Sequence, residues 1–340
     1  MSALQDTLKK IVEGQDLTKE EAKTVFNEIM TGQVSEAQIA AWITALRMKG
    51  ETADELAGCI EIMRQEVLAV KCNDHFAVDS VGTGGDGAHT INISTTAAFV
   101  AAGAGITVAK HGNRAVSSKS GSADVLSQLG INLDITPEKM EACLNNIGFS
   151  FLFAPKLHPA MKHAIGARRA IGIRTIFNLL GPMTNPANTT RGVIGVFSEK
   201  YCYLLAEAAH KTGADHYLFV HGSDGLDEIT LTGSSTIIEV KGKEIKAYKF
   251  NPKEYGFNLC KTADFGGGTP EENAEYTRQI LSGKEQGAKR DIVVINAAAT
   301  ILVSGKAADW NEAIKMAKQS IDSGAAAEKM KQFAEASQQA

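Results

Sequence analysis

Four glycines stand within six positions of the segment VGTGGDGAHTINIST, residues 81–95. Glycine has no Cβ, so such a loop can adopt positive φ angles and lie directly against a ligand. A short apolar run at 76–81 predicts a strand before the loop, and the residues after it predict a helix capped by the hydroxyls of Ser94, Thr95 and Thr96. The N–H groups of a glycine loop and of a helix N-terminus bind anions. We therefore predict a phosphate site here.

Two familiar nucleotide motifs explain this loop poorly. Gly82, Gly84 and Gly87 satisfy G-x-G-x-x-G, but a dinucleotide site also needs an acidic residue about twenty positions later, at the end of the next strand. Lys110 and His111 stand at that place instead. The G-x-x-x-x-G-K-[ST] pattern of a Walker A loop is absent from the sequence, which argues against simple ATP hydrolysis.

A second loop, KHGNRAVSSKSGSADVL at residues 110–126, follows the next predicted strand. Loops that follow strands in an open α/β sheet form the ligand crevice, so we expect this loop to face the glycine loop. Its lysine, arginine, asparagine and hydroxyl side chains suit phosphates and ribose hydroxyls. A basic, serine-rich loop can also be merely solvated, but its position beside a glycine loop favours ligand binding.

Three arginines and an acidic pair are weaker signals. Arg168, Arg169 or Arg174 could clamp a carboxylate through two parallel hydrogen bonds, although periodicity alone favours a solvent-exposed helix face. Asp227 and Glu228 follow a predicted strand, and we expect them to be exposed on a loop. Magnesium is held by one or two carboxylates together with substrate phosphates, so this pair could bind a cation beside a pyrophosphate.

His111 could be a general base, because it stands next to the two predicted ligand loops. The sequence identifies no carboxylate that would orient it. We therefore favour a structural or substrate-packing role for this histidine.

The elements that must position these residues are of two kinds. The first seventy residues predict a small helical bundle with three capping boxes, at Thr18 with Glu21, Ser35 with Gln38 and Thr52 with Glu55. From residue 75 onward, short β-branched runs alternate with helices, which predicts an α/β sheet that is partly parallel. The predicted strands are 77–81, 106–109, 149–153, 193–197 and 217–220, followed by an antiparallel hairpin at 235–248. Residues 159–186 and 270–337 are expected to be mostly helical.

Composition limits the classes of function. The 340 residues carry a formal net charge of −4, and no basic run is interleaved with aromatic residues, which argues against nucleic-acid binding. Five scattered cysteines form no C-x-x-C pair and predict reduced thiols in the cytoplasm. The longest apolar stretches, 97–109 and 292–303, are too short for a membrane span, and the N-terminus shows no signal-peptide pattern.

These stretches, in this order, closely resemble the anthranilate phosphoribosyltransferases, which join anthranilate to phosphoribosyl pyrophosphate (PRPP) in tryptophan biosynthesis. The resemblance spans essentially the whole chain and rests on GTGGD at 82–86, NIST at 92–95, the 110–126 loop and FNLLGPMTNP at 177–186. The family usually has leucine where this chain has Met183, a substitution that conserves volume.

The resemblance implies an α/β fold with a small helical bundle domain and a larger α/β domain, whose central sheet is mixed, largely parallel and surrounded by helices. The small domain would comprise 1–73 with 159–190, and the large PRPP-binding domain 74–158 with 191–340. It further implies a homodimer through the helical domain and two magnesium ions per subunit. No nucleic acid or membrane partner is expected.

The resemblance also assigns site residues. The PRPP site would consist of Gly82, Gly85, Asp86, Thr90, Asn92, Ile93, Ser94, Thr95, Lys110, His111, Gly112, Asn113, Arg114, Ala115, Val116, Ser117, Ser118 and Ser122. Anthranilate would touch Gly82, Asn113 and Arg168, and magnesium would be held by Ser94, Asp227 and Glu228. No strong acid or base is expected, because the transition state is oxocarbenium-like and its main need is stabilisation of the departing pyrophosphate, which Lys110 can support.

Two other functions are compatible with the same fold. A pyrimidine nucleoside phosphorylase would bind a nucleobase and free phosphate and would need no acidic metal pair. A binding protein that had lost the chemistry would be expected to show damage in the glycine loop or at Asp227 and Glu228, and this sequence shows none.

Overall fold

The computed structural model describes residues 2–115 and 119–339. Its N-terminal part is a bundle of four helices: α1 Ala3–Val12, α2 Lys19–Met30, α3 Glu36–Lys49 and α4 Ala53–Gln65. The three predicted capping boxes are confirmed, because each starts one of the last three helices with reciprocal side-chain and backbone hydrogen bonds. The indole of Trp42 is fully buried in this bundle and donates to the hydroxyl of Thr7 at 3.2 Å.

After the bundle, the described residues form one central sheet of seven strands. The strands are β1 Val78–Gly82, β2 Val108–Gly112, β3 Phe149–Phe153, β4 Arg191–Gly195, β5 His216–Gly222, β6 Ser235–Lys241 and β7 Glu244–Phe250. Their order across the sheet is β3-β2-β1-β4-β5-β6-β7. The first five strands in this order are parallel, β6 is antiparallel to β5, and β7 is antiparallel to β6. The predicted fold class and the predicted hairpin are confirmed. The sequence placed the starts of β1, β2 and β4 within about two residues of their observed positions.

Helices surround this sheet and complete the fold. They are α5 Ile93–Gly103, α6 Ser122–Gln128, α7 Pro137–Ile147, α8 Ala154–Leu157, α9 Lys162–Ile171, α10 Ile176–Leu180, α11 Glu199–Lys211, α12 Pro270–Leu281, α13 Ala288–Ser304, α14 Trp310–Asp322 and α15 Ala325–Gln338. Short 3-10 turns lie at Pro159–Met161, Gly181–Met183, Pro252–Tyr255 and Thr262–Phe265. The predicted helical region 159–186 is therefore two helices, because Gly172 ends the first with a left-handed φ of 64°.

The sheet separates two hydrophobic cores. On one face, α5 and α13 are buried, and Phe99 of α5 stacks on Phe149 with ring centroids 4.4 Å apart. On the other face, the bundle helices share a core with α9, α10 and α11. Phe26 of the bundle contacts Phe177 of α10 at a centroid distance of 5.3 Å. Helices α9 and α10 are thus packed on the bundle, together with the arginines that lie in and between them.

The start of α5 corrects one prediction. The helix begins at Ile93, with Asn92 in the N-cap position, so Ser94, Thr95 and Thr96 lie inside its first turn and are not caps. Thr96 instead donates its hydroxyl back to the carbonyl of Asn92 at 3.0 Å, a common alternative for a hydroxyl inside a helix. The N–H of Ile93 donates to the carbonyl of Ile91 at 2.8 Å, and the N–H groups of Ser94 and Thr95 have no partner within the helix.

Within the described residues, every helix is too short or too polar to cross a membrane.

Candidate active site

A cleft opens where β1 lies between β2 and β4, the point at which the strand order reverses. Ligands of open α/β sheets bind at such points, beyond the carboxyl ends of the strands. The described lining comes from the glycine loop, the start of α5, the residues before α6, an acidic pair and a second glycine loop. The lining residues are Gly82, Gly84, Gly85, Asp86, His89, Thr90, Ile91, Asn92, Ile93, Ser94, Thr95, Lys119, Ser120, Gly121, Ser122, Asp227, Glu228, Gly267, Gly268 and Asn273.

The glycine loop needs glycine for two different reasons. Gly84, Gly85 and Gly87 have φ angles of 70°, 78° and 73°, which side chains with a Cβ rarely adopt. At Gly82 the reason is space, because a Cβ there would lie 2.5 Å from Oδ2 of Asp227. The predicted positive φ angles of the loop are therefore observed. The loop also lies directly against Asp227 of the acidic pair.

Asp227 and Glu228 accept hydrogen bonds from the two parts of the predicted anion site, the glycine loop and the first turn of α5. Asp227 accepts a hydrogen bond from the N–H of Gly84 at 2.8 Å. Glu228 accepts one from the N–H of Ser94, in the first turn of α5, at 3.0 Å. The expectation that these two carboxylates are exposed is wrong, because Asp227 is only 9% exposed and Glu228 is half-buried. The loop after β5 turns back into the cleft and takes both side chains with it.

The charges around this pair favour a cation. Burial raises the pKa of Asp227 well above its usual range, and the nearby carboxylate of Asp86 raises it further. Burial, followed by the charge of Asp227, likewise raises the pKa of Glu228. Across the described residues, no group of three or more His, Cys, Asp or Glu side chains could hold a metal ion by itself. One or two carboxylates are enough for magnesium when water molecules and substrate phosphates supply the remaining oxygen ligands.

Asp224 organises the loop that carries the acidic pair. Its carboxylate accepts hydrogen bonds from the hydroxyls of Thr230 at 2.7 Å and Thr232 at 2.8 Å. These bonds join the residues before and after Asp227 and Glu228, so the pair lies on a turn closed by side-chain hydrogen bonds.

Lys110 lies beneath the cleft and is not part of its described lining. Lys110 is 1% exposed, and its ammonium group donates to the carbonyl of Ser80 and lies 3.5 Å from the hydroxyl of Ser94. Burial lowers its pKa, while the carboxylates of Asp79 and Glu228 oppose that shift. The ammonium group lies behind Ser94, which lines the cleft, so its positive charge can attract an anion bound there.

His111 is buried in a hydrogen-bonded network that disfavours its protonation. Its Nε2 lies 3.1 Å from Nε2 of His158, and burial, followed by the charge of His158, lowers its pKa to about 3. Its backbone N–H donates to Asp79 at 3.0 Å, and Asp79 also accepts from Asn185 at 2.8 Å. A base with so low a pKa is a poor proton acceptor at pH 7, so the geometry supports the structural role.

The predicted PRPP residues divide into three groups. Nine line the described cleft: Gly82, Gly85, Asp86, Thr90, Asn92, Ile93, Ser94, Thr95 and Ser122. Six lie in or after β2, outside that lining: Lys110, His111, Gly112, Asn113, Arg114 and Ala115. Val116, Ser117 and Ser118 lie outside the described residues. In the second group, Arg114 forms an exposed ion pair with Asp124 at 3.0 Å.

Part of the cleft wall was missed by sequence reasoning. Gly267 and Gly268 line the cleft, and the N–H of Gly267 donates to the carbonyl of His89 at 2.8 Å. Asn273 accepts from the N–H of Gly268 and donates to the side chain of Asn92, both at 2.8 Å. The available signal was the glycine triplet at 266–268, directly before the helix cap at Thr269.

The three arginines differ in their surroundings. Arg168 is half-buried, lies over the ring of Phe177 at 5.1 Å, and forms no ion pair with any described carboxylate. Burial lowers the pKa of its guanidinium. Arg169 is exposed. Arg174 lies over the ring of Phe197 at 4.2 Å and donates to the carbonyl of Gly85, so it links this segment to the glycine loop.

Known proteins resemble this chain over nearly its whole length. Residues 5–67 match the helical bundle domain of a glycosyl transferase family, and residues 74–327 match its a/b domain. The anthranilate phosphoribosyltransferase of Desulfosudis oleivorans is 50% identical over 97% of both chains.

Solved structures agree. That of the anthranilate phosphoribosyltransferase of Thermus thermophilus has a TM-score of 0.94 and 39% identity, covering 100% of both chains. The Saccharomyces cerevisiae enzyme in complex with PRPP and Mg has a TM-score of 0.90 and 28% identity, covering 98% of this chain and 97% of that one. The match in sequence, in fold and over both domains means that this chain belongs to the anthranilate phosphoribosyltransferase family of glycosyl transferases.

Proposed function

We propose that this protein transfers the phosphoribosyl group of PRPP to the amine of anthranilate, giving N-(5-phosphoribosyl)anthranilate and pyrophosphate in tryptophan biosynthesis. The observation that carries the proposal is the hydrogen bonding of Asp227 and Glu228 to Gly84 and Ser94. It brings a glycine loop, a helix N-terminus, the buried carboxylate of Asp227 and the half-buried one of Glu228 to one cleft. That combination suits a pyrophosphate bound together with a divalent cation.

The glycine loop and the first turn of α5 bind the phosphates of PRPP in this proposal. Backbone N–H groups there favour negative charge, and the positive end of the α5 dipole adds to the attraction. The hydroxyls of Thr90 and Thr95 and the side chain of Asn92 line the same cleft and can bind ribose and phosphate oxygens. Residues 110–115, at and after β2, and Ser122, at the start of α6, would supply further contacts to PRPP.

Asp227, Glu228 and the hydroxyl of Ser94 would hold magnesium, two ions per subunit, together with pyrophosphate oxygens. Bound magnesium supplies positive charge that stabilises the departing pyrophosphate. Lys110 adds a buried positive charge below Ser94. The Saccharomyces cerevisiae relative in complex with PRPP and Mg supports this assignment.

Anthranilate requires positioning more than activation. Its aromatic amine is neutral and nucleophilic near pH 7, so no strong base is needed, in agreement with the low pKa of His111. Arg168 would bind the anthranilate carboxylate, with Asn113 and Gly82 beside the ring. The half-buried guanidinium of Arg168, which has no described carboxylate partner, supports this assignment.

We further propose a cytoplasmic homodimer that associates through the helical domain, formed by 1–73 with 159–190, while 74–158 with 191–340 form the PRPP-binding domain. The bundle packs on α9 and α10, which supports placing 159–190 in the small domain, and the same core continues to α11 of the large domain. Val12 and Met48, on helices α1 and α3 of the bundle, are 69% and 83% exposed, and burying them against a second copy would be favourable.

The function is tested by incubating the protein with magnesium, PRPP and anthranilate and identifying the products by mass spectrometry. Equal amounts of phosphoribosyl anthranilate and pyrophosphate are expected, and none without magnesium. Cleavage of a pyrimidine nucleoside by inorganic phosphate without magnesium, and no reaction with anthranilate, would instead identify a nucleoside phosphorylase.

A further inference from the structure

Helix α13 carries one buried amide among apolar residues. Asn296 is 2% exposed, and its neighbours in the sequence VVINAAATILV at 293–303 are almost all apolar. Burying an amide is costly unless all of its polar atoms are hydrogen-bonded. The position of Asn296 in the middle of a buried helix therefore calls for a partner that repays this cost.

The main partner of Asn296 is the backbone of Ile229. The side-chain oxygen of Asn296 accepts the N–H of Ile229 at 2.9 Å, and its amide nitrogen donates to the carbonyl of Ile229 at 3.0 Å. The same nitrogen donates to the carbonyl of Ile292 at 2.9 Å. Only one orientation of the amide satisfies all three bonds, so Asn296 recognises both backbone groups of one residue.

Ile229 directly follows the acidic pair in the chain. Because the peptide bond is planar, fixing the N–H of Ile229 also fixes the orientation of the carbonyl of Glu228 and the position of its Cα. On the cleft side, the Glu228 carboxylate meets the N–H of Ser94 at 3.0 Å. Glu228 is therefore held from behind through its backbone and in front through its side chain.

We propose that Asn296 is a positioning residue for the metal site: it fixes the backbone that presents Asp227 and Glu228 to the cation. The inference rests on the proposed function, since it concerns the cation that this function needs. Residues that orient metal ligands without touching the metal commonly change metal affinity by about ten- to a hundred-fold when replaced. Asn296 acts in the same way through the main chain.

The test compares two variants with a matched control. Asn296→Leu is nearly isosteric and removes all three side-chain hydrogen bonds, and Asn296→Ala removes them without adding bulk. Thr300→Val is the control, because Thr300 is equally buried on the same helix, and its hydroxyl donates to the carbonyl of Asn296 at 3.1 Å, not to the loop of the acidic pair. Each protein is titrated with Mn2+ in the presence of PRPP, and free Mn2+ is followed by electron paramagnetic resonance. The temperature is kept below the melting transition of every variant.

We expect the dissociation constant for Mn2+ to rise by about tenfold or more in both Asn296 variants and to stay unchanged in Thr300→Val. A merely structural role would lower the melting temperature of all three variants without a loss of Mn2+ affinity that is confined to the Asn296 variants. If either Asn296 variant folds and binds Mn2+ as tightly as the wild type, the positioning role is overturned. If the wild type itself binds no Mn2+ in the presence of PRPP, the proposed function fails instead.

Discussion

Glu228 accepts a hydrogen bond from the backbone N–H of Ser94 at 3.0 Å, which joins the loop after β5 to the first turn of α5. A carboxylate at this place is stabilised by the positive end of the helix dipole. It also occupies an N–H group that a phosphate would use. A bound cation can resolve this competition, because it attracts the carboxylate and the pyrophosphate at once.

Replacing the acidic pair should separate stability from catalysis. Asp227→Asn with Glu228→Gln keeps the size of both side chains and their ability to accept from Gly84 and Ser94. Because burial makes the charged forms unfavourable, we expect this double variant to melt at or above the wild-type temperature at pH 8. Turnover should fall by about a hundred-fold or more, because the pyrophosphate loses its counter-charge. Wild-type turnover at saturating magnesium would refute the metal assignment.

PRPP binding should be more sensitive to a methyl group added in the glycine loop than to one added at a turn outside the cleft. Gly84→Ala must accommodate a φ of 70° in a residue that lines the cleft. Gly130→Ala is the matched control, since Gly130 has a φ of 82°, open space around it and no place in the described cleft lining. Both variants should lose about 1 kcal/mol of stability. Only Gly84→Ala should weaken PRPP binding in calorimetric titrations, and equal PRPP affinity in the two would mean that the loop only shapes the fold.

Arg168→Ala should raise the KM for anthranilate by roughly thirty- to a hundred-fold, because a charge-assisted bidentate bond contributes about 2 to 3 kcal/mol. Arg168→Lys should recover only part of this, since a single ammonium group cannot reproduce the two parallel bonds. The KM for PRPP should change little. These constants are measured at a saturating concentration of the other substrate.

Arg169→Ala is the control for that measurement, because Arg169 is exposed and turned about 100° around α9. If Arg169→Ala raised the anthranilate KM and Arg168→Ala did not, the carboxylate-binding residue would be misassigned.

The two facing histidines should make the protein sensitive to acid. Burial lowers the pKa of His158 to about 4, well below its usual 6.5. Below about pH 6.5 the unfolded chain binds a proton at this histidine that the folded protein does not bind. The contribution of neutral His158 to stability is therefore fully present above about pH 6.5 and is lost as the pH falls. His158→Gln should remove up to about 3 kcal/mol of this loss between pH 6.5 and pH 4.

Chemical unfolding across this pH range checks the effect of the histidines. His210→Gln, which replaces an exposed histidine at the end of α11, should follow the wild-type curve. A His158→Gln curve as steep as that of the wild type would assign the acid sensitivity to other groups.

The local signals in the sequence predicted much of the fold, because capping boxes such as Thr18 with Glu21 and glycines such as Gly84 have effects within a few residues. The burial of Asp227 and Glu228 was missed, since it depends on how the loop after β5 folds back over β1. Gly267, Asn273 and Asn296 were missed for a similar reason. Their partners His89, Asn92 and Ile229 lie far away in the sequence, and only the tertiary fold brings them together.

Transfer of the phosphoribosyl group is followed most simply by the fluorescence of anthranilate in the presence of the protein, PRPP and magnesium. We expect a loss of fluorescence that requires both PRPP and magnesium in the wild type and that nearly disappears in the Asp227→Asn, Glu228→Gln double variant. Unchanged fluorescence with the wild-type protein at every concentration of PRPP and magnesium would contradict the proposed function.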